Sequence, residues 1–194
     1  RKRHNLSQTL YIALSKSGET LETLTNLLNL KILKKNSKNL IVITEKNNRS
    51  LHLLSKKLNC YFVEHKRYIG GRYSIFSEVG MLPAYLMGLR INNLRKNILV
   101  HFKNRKKKIF LRDSAIKLAA ILLKNKIRSF IFFNYEPKLD NFLYWYQQLI
   151  AESLGKKGKG LLPIISPAPK DHHSLLQLYL DGPKNNFFTF FGVL

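Results

Sequence analysis

The chain has 194 residues, 45% of them hydrophobic, and carries 34 Lys and Arg against 11 Asp and Glu, a net charge of +23. This length suits one core or two small ones, and the hydrophobic content excludes a disordered chain. The longest apolar runs, such as residues 130–133 and 187–191, are too short for a membrane span. No apolar signal core follows the basic start, and the lone Cys60 cannot form an internal disulfide. These features predict a cytoplasmic location.

The excess of basic residues is typical of proteins that bind nucleic acids or anionic membranes. However, the lysines are spread along the chain, and the densest run, residues 103–108, has no aromatic residues interleaved for base stacking. The abundance of Lys, Asn and Ile also matches the residue usage of an AT-rich genome. We therefore expect a solvated basic surface, no nucleic-acid partner and no membrane partner, although such a surface can attract a phosphorylated substrate.

The first half of the chain alternates apolar runs of strand length with segments of helical spacing. Strands are predicted over residues 10–14, 39–44 and 60–63, and helices over residues 21–28, with an extension to Leu33 left open, and 50–58. This alternation predicts a parallel sheet covered by helices. Right-handed crossovers then place the loops that follow the strands at one edge, where α/β folds bind ligands.

The pattern loosens after Gly88 and predicts a domain boundary, with a first domain over residues 1–90 and a second over residues 91–194. The second domain has its own strands and helices. Strands are predicted over residues 129–134, 161–165 and 187–191, and helices over residues 94–102, from an Asp113 or Ser114 cap through Leu123, and from Leu139 to Glu152.

Polar residues follow the first predicted strand at residues 15–20. The hydroxyls of Ser15, Ser17 and Thr20, together with free amides at a helix start, form a possible anion cradle. The glycine spacing fits neither a Walker loop nor a dinucleotide fingerprint. From these residues alone, an ordinary helix capped by Ser or Thr remains the favoured interpretation.

A second notable stretch, residues 69–77, follows the third predicted strand. Its Gly70 and Gly71 allow positive φ and close approach of the backbone to a ligand, and Arg72 presents a planar set of donors to an anion. Ser74 is expected to cap the next helix. A plain glycine turn with a solvated arginine fits these nine residues equally well.

The second domain contains two candidate acid–base groups. Glu152 ends a helix with an apolar face, where partial burial is expected to raise its pKa; the alternative is a surface glutamate paired with Lys156. His172 and His173 are adjacent, and a helix starting near Ser174 would place His173 at its N-terminus. Neither the histidines nor the carboxylates have the spacing of a metal site.

Three stretches, in this order along the chain, resemble motifs of the glucose-6-phosphate isomerase family. They are residues 13–23, residues 69–77, and residues 151–156 followed by 171–174. The resemblance implies a three-layer αβα sandwich with a parallel sheet, built from two incomplete sugar-isomerase subdomains. The implied reaction is the reversible conversion of glucose 6-phosphate to fructose 6-phosphate through a cis-enediolate, a step of glycolysis and gluconeogenesis that needs no cofactor.

The same resemblance assigns a phosphate-binding role to the first of these motifs. Ser15, Ser17 and Thr20 hold the phosphate of the sugar, and Lys16 adds local positive charge. With this assignment the anion cradle becomes the favoured interpretation of the loop.

The catalytic roles implied by the resemblance fall on the other two motifs. Arg72, supported by Gly71, stabilises the enediolate, Glu152 shuttles the proton, and His173 opens the sugar ring. Leu154 departs from the asparagine that is typical of animal enzymes but leaves the glutamate intact. Family members are typically homodimers in which the histidine acts in the neighbouring subunit's site.

The resemblance also predicts that these residues are a central fragment of a longer enzyme. The chain starts without Met and stops in an apolar strand-like run, and it lacks the family's Gly-Gly-Ser segment and its C-terminal lysine segment. We therefore expect the chain to be inactive by itself. The alternatives are another phosphosugar isomerase, a non-catalytic phosphosugar-binding domain and, less favoured, a basic nucleic-acid-binding protein.

Overall fold

A computed structural model describes residues 8–124 and 126–192 of the protein. The chain divides into two compact units, residues 1–95 and residues 96–194, and the division falls five residues after the predicted boundary. That these units are sugar-isomerase subdomains stays a prediction. Each unit is built around its own three-stranded sheet.

The first unit alternates strands and helices before its last two helices. Its elements are β1 (Tyr11–Leu14), α1 (Leu21–Asn29), β2 (Leu40–Thr44), α2 (Ser50–Leu58), β3 (Tyr61–Glu64), a 3₁₀ helix (Gly71–Phe76), α3 (Glu78–Leu86) and the start of α4 (Ile91–Lys103). The strands lie in the order β1-β2-β3 and are all parallel, with Val42 opposite both Ala13 and Phe62. The carboxyl ends of all three strands therefore lie at one edge of the sheet.

The core of the first unit surrounds β2, whose side chains are buried on both faces. Leu40, Val42 and Ile43 are each 1% exposed. Leu27 of α1 and Leu51 of α2 pack into the same core. A central strand of a parallel sheet is covered on both faces, which explains an uninterrupted apolar run instead of alternation.

The second unit repeats the parallel arrangement around β4. Its elements after α4 are α5 (Arg105–Lys124), β4 (Ser129–Asn134), a 3₁₀ helix (Pro137–Leu139), α6 (Asp140–Leu154), β5 (Leu162–Pro167), α7 (Lys170–Ser174), α8 (Leu176–Asp181) and β6 (Asn186–Phe191). Both β5 and β6 pair with β4 in parallel. Phe130, Phe132 and Leu143 form its core. Parallel sheets flanked by helices confirm the predicted α/β class.

The structure sets the end of α1, which the sequence left open, and corrects the predicted start of α5. α1 ends at Asn29, so Leu33 lies outside it. α5 begins at Arg105 because the side chain of Asn104 accepts a hydrogen bond from the amide of Lys107, which caps the helix well before the predicted cap at Asp113 or Ser114. The basic run 105–108 is therefore the first turn of a helix. No helix within residues 8–124 and 126–192 has both the length and the apolar character to cross a membrane.

Candidate functional site

The loop after β1 folds around the buried hydroxyl of Ser15, which is the centre of three hydrogen bonds. Ser15 Oγ accepts from the amides of Gly18 at 3.1 Å and Thr20 at 3.4 Å, and it lies 2.7 Å from Thr20 Oγ1. Thr20 occupies the N-cap position of α1, but its hydroxyl makes no capping bond to the helix. The Thr20 hydroxyl therefore stabilises the loop through Ser15 instead of capping the start of the helix.

Gly18 allows this loop to turn sharply against β2. Its φ is +79°, and a Cβ there would lie 3.2 Å from Thr44 Oγ1. Its carbonyl accepts a hydrogen bond from the amide of Leu51, while Asn47 Nδ2 donates to the carbonyl of Ser17 at 3.2 Å. The loop is thus tied to the segment after β2, and only glycine adopts this backbone without strain.

A cavity of about 470 Å³ opens beside this loop, at the carboxyl ends of the strands, and its lining is mainly basic. The lining residues are Lys16, Ser17, Glu45, Lys46, Asn47, Arg49 and Arg67. Four cations face one carboxylate there, which favours an anionic ligand. Part of that charge is already paired, since Arg49 lies 2.9 Å from Glu19 and Lys16 lies 3.6 Å from Glu45.

Sequence reasoning missed five of these lining residues, among them the basic Lys46, Arg49 and Arg67. The available signal was their position directly after the second and third strands, at the edge where parallel α/β sheets bind ligands.

Lys16 links this loop to the segment that carries Arg72. Its Nζ donates a 2.8 Å hydrogen bond to the carbonyl of Ile69, the residue before Gly70. The structure therefore brings the predicted phosphate-binding residues and the Gly71–Arg72 segment together in one unit.

The two glycines of this segment do not adopt the positive φ that glycine allows. Gly70 has φ −65° and ψ 146°, and Gly71 begins the 3₁₀ helix. The small size of Gly70 matters for packing, since a Cβ there would lie 3.1 Å from Tyr73 Cδ2. Around Gly71, by contrast, the space a Cβ would fill is open to 4 Å. The backbone at Gly71 is thus accessible to a ligand.

The helix after Arg72 is capped by a different serine from the predicted one. Ser77 Oγ accepts from the amide of Val79 and caps α3, whereas Ser74 Oγ donates to the carbonyl of Gly71 at 2.6 Å. Ser74 is inside the 3₁₀ helix because that helix, absent from the prediction, occupies Gly71–Phe76. The half-buried Arg72 places its guanidinium carbon 4.8 Å from the centre of the Tyr73 ring.

In the second unit, Glu152 lies in the last turn of α6 and is exposed, so the expected partial burial is wrong. The apolar side of α6 buries Leu143 and Ile150, and Glu152 lies outside it. Its carboxylate accepts a 2.8 Å hydrogen bond from Gln148 Nε2, one turn earlier. Glu152 is thus accessible to a ligand at the end of its helix.

The two histidines lie in the last turn of α7, a short helix that the prediction lacks. The helix predicted to start near Ser174 is α8, which begins at Leu176, so His173 lies three residues before its first residue. His172 Nε2 lies 2.9 Å from the hydroxyl of Tyr135, whereas His173 is exposed. The buried Asp171, which sequence reasoning missed, accepts a 2.7 Å hydrogen bond from Ser166 Oγ of β5. Asp171 thereby ties α7, the helix that carries both histidines, to the strand.

Glu152 and His173 lie at opposite edges of this sheet. α6 starts at the carboxyl edge, where Asn134 Nδ2 donates to Asp140, and Gln147 reaches the carbonyl of Pro163 near the start of β5. A helix rises about 1.5 Å per residue, so Glu152 is about 18 Å along α6 from Asp140. His173, in contrast, follows the carboxyl end of β5.

Comparison with known proteins gives the family. A family model described as phosphoglucose isomerase matches residues 1–160. The chain is 35% identical over 196 residues to glucose-6-phosphate isomerase of Methanocaldococcus jannaschii and 34% identical over 204 residues to that of Campylobacter jejuni. Each alignment covers 97% of this chain and 48% of the relative. The chain belongs to the phosphoglucose isomerase family, which confirms the resemblance.

A solved structure agrees with the fold. The crystal structure of a hypothetical protein from Thermus thermophilus has a TM-score of 0.77 and 27% sequence identity, and the match covers 97% of this chain and 48% of that one. The chain therefore spans about half the length of the curated relatives and of the solved structure that it matches.

Proposed function

We propose that the chain supplies the phosphate-binding loop and catalytic residues of an enzyme that interconverts glucose 6-phosphate and fructose 6-phosphate. The observation that carries this proposal is the hydrogen bond from Lys16 to Ile69, which joins the Ser15–Thr20 loop to the Arg72 segment beside a basic cavity. The relatives named glucose-6-phosphate isomerase support the choice of substrate.

The sugar phosphate binds at the loop after β1. Ser15 shapes the loop from within, since its hydroxyl is already hydrogen-bonded inside it. Ser17 lines the cavity and has a hydroxyl proton available, because its oxygen accepts from the amide of Glu19. Lys16 contributes charge while it holds the second loop, and the start of α1 adds a favourable dipole.

The isomerisation needs one base that reaches both C1 and C2 and a cation for the enediolate. Glu152 removes the proton from C2 and returns it to C1, and the guanidinium of Arg72 stabilises the negative charge that develops on the oxygens. The exposed ring of His173 assists ring opening by moving a proton between the ring oxygen and the hydroxyl of C1. These groups account for the reaction without a cofactor.

The positions of Glu152 and His173 support a homodimer. Because the two residues lie at opposite edges of one sheet, a site that uses both takes them most simply from two subunits. In this arrangement each site combines Glu152 of one subunit with His173 of the other. A cytoplasmic location, where phosphorylated sugars are found, accords with this function.

A coupled assay that follows fructose 6-phosphate tests the proposal. It is applied to the purified chain and to the translation product of its complete reading frame. Turnover by the longer product that falls by at least about a thousandfold in Glu152→Gln supports the proposed base. Unchanged turnover in that variant, or a product that never converts glucose 6-phosphate, contradicts the proposed function.

A further inference from the structure

A histidine and a glutamate that bind each other flank residues 66–77, the segment that carries Arg72. His65 directly follows β3, and Glu78 is the first residue of α3. His65 Nδ1 lies 2.5 Å from Glu78 Oε1, and the amide of His65 is bound to the carbonyl of Thr44 in β2. The pair thus fastens the start of α3 to the central strand of the sheet, across the whole Arg72 segment.

The imidazole of His65 depends on Glu78 for its orientation. The side chain is 2% exposed, and its Nε2 has no hydrogen-bond partner among the residues that the structure describes. Without the glutamate, both ring nitrogens would be buried without a partner, an arrangement that costs free energy. The carboxylate of Glu78 is therefore the group that fixes the ring.

Three side-chain hydrogen bonds hold the backbone on either side of Arg72. Lys16 holds the carbonyl of Ile69, and Ser74 Oγ holds the carbonyl of Gly71. Ser77 Oγ in turn donates to the carbonyl of Ser74. The pair His65–Glu78 adds a tie between the two ends of the segment.

We propose that His65 and Glu78 are positioning residues that hold the Arg72 segment in the geometry needed to stabilise an enediolate. The proposal rests on the proposed function for the role of Arg72, and on the buried hydrogen bond for the role of the pair. The pair touches no substrate itself and acts through the backbone between its members.

Glu78→Leu tests the pair, because leucine is close in size but cannot accept a hydrogen bond. Glu78→Gln is the conservative variant, since its amide oxygen can still accept from His65 Nδ1. Glu64→Leu is the matched control: Glu64 is the last residue of β3, directly before His65, and its ion pair with Lys66 is exposed to solvent. All variants are made in the 194-residue chain.

Two ligands distinguish the contribution of Arg72 to binding from that of the phosphate loop. Inorganic phosphate probes the loop alone, and arabinonate 5-phosphate adds a carboxylate where the enediolate charge would develop. We expect Glu78→Leu to weaken the binding of arabinonate 5-phosphate by about tenfold or more and the binding of phosphate by less than about twofold. Glu78→Gln should restore most of the affinity, and Glu64→Leu should change neither ligand.

Amide hydrogen exchange over residues 66–77 gives a readout that needs no ligand. Exchange there should accelerate in Glu78→Leu, but not in Glu64→Leu. Parent-like arabinonate affinity and parent-like exchange in Glu78→Leu would overturn the proposal. If the parent binds neither ligand, the proposed phosphosugar site fails, and the exchange comparison alone then supports or overturns the positioning pair.

Discussion

At the scale of single residues, the site depends on small and buried groups as much as on the charged ones. Ser15 is 3% exposed and organises the loop after β1 from its interior. Gly18 permits the turn, and Asp171 fixes α7. These residues set the geometry in which the exposed groups act.

Gly18→Ala should destabilise the first unit. Positive φ strains alanine, and its Cβ would press on Thr44 Oγ1, so we expect a loss of about 1–2 kcal/mol in free energy of unfolding. Urea titration followed through the amide signals of β2 measures it. Gly71→Ala is the control, because that position has open space and no positive φ. Equal stability of the two variants would contradict the strain argument.

Glu78 should make the stability of the first unit depend on pH. Burial opposes its ionisation, but the hydrogen bond from His65 and the amides of Glu78 and Lys66 together lower the pKa of this carboxyl below its ordinary 4.5. Its contribution is therefore fully present above pH 4.5 and is lost as the pH falls through the lowered pKa. Urea midpoints of the parent and Glu78→Gln should differ at neutral pH and converge in acid.

Glu64→Gln distinguishes this buried effect from a surface one. The pKa of Glu64 is also lowered, chiefly by its hydrogen bond from Lys66, but the group is exposed. Its effect on the urea midpoint should disappear in about 1 M salt, while that of Glu78 should persist. A Glu78 effect that salt abolishes equally would argue against the buried hydrogen bond.

At the scale of elements, the proposed phosphate-binding role belongs to the loop between β1 and α1. Replacing Ser17 and Thr20 together by alanine should weaken binding of glucose 6-phosphate by about 1–3 kcal/mol, the range for hydrogen bonds to a charged group. Isothermal titration on the chain measures the loss. An unchanged dissociation constant would mean that the loop only begins the helix.

Thr23→Ala is the matched control for this pair of substitutions. Thr23 lies in the first turn of α1, and its hydroxyl donates to the carbonyl of Leu14 at 3.0 Å, outside the phosphate loop. The variant should lose some stability but keep its affinity for the phosphosugar. A parallel loss of affinity would indicate that the start of α1, and not the loop hydroxyls, determines binding.

At the scale of the whole molecule, the opposite placement of Glu152 and His173 predicts complementation between subunits. In a dimer that shares His173, a mixture of Glu152→Gln and His173→Ala chains forms one intact site in each heterodimer. Random reassociation should then recover about a quarter of the parent activity. The measurement uses the translation product of the complete reading frame, mixed in denaturant and refolded. If the mixed heterodimers recover no activity, both residues belong to the same subunit's site.

The net charge of +23 acts on the whole molecule as well. Four basic side chains line the cavity beside the phosphate loop, so part of this charge is concentrated where a phosphosugar would bind. Charge of this kind raises the rate of encounter with an anion and weakens with salt. In the proposed site, the hydrogen bonds of the loop would in contrast define which anion remains bound.

Much of this molecule was predictable from local sequence. β4 and α2 were predicted at their observed bounds, because a run of apolar residues and a regular helical spacing are local patterns. The parallel α/β class followed from their alternation, and three short motifs identified the family. The exceptions were helix ends, where a single side chain such as Asn104 decides the boundary.

The tertiary structure alone decided how these pieces meet. The bonds from Lys16 to Ile69 and from His65 to Glu78 join residues that are 53 and 13 positions apart, and no periodicity predicts them. The same holds for the exposure of Glu152 and for its distance from His173, since both depend on the direction in which α6 crosses the sheet. Local patterns determine which elements form, whereas their packing determines which side chains are buried and which share a site.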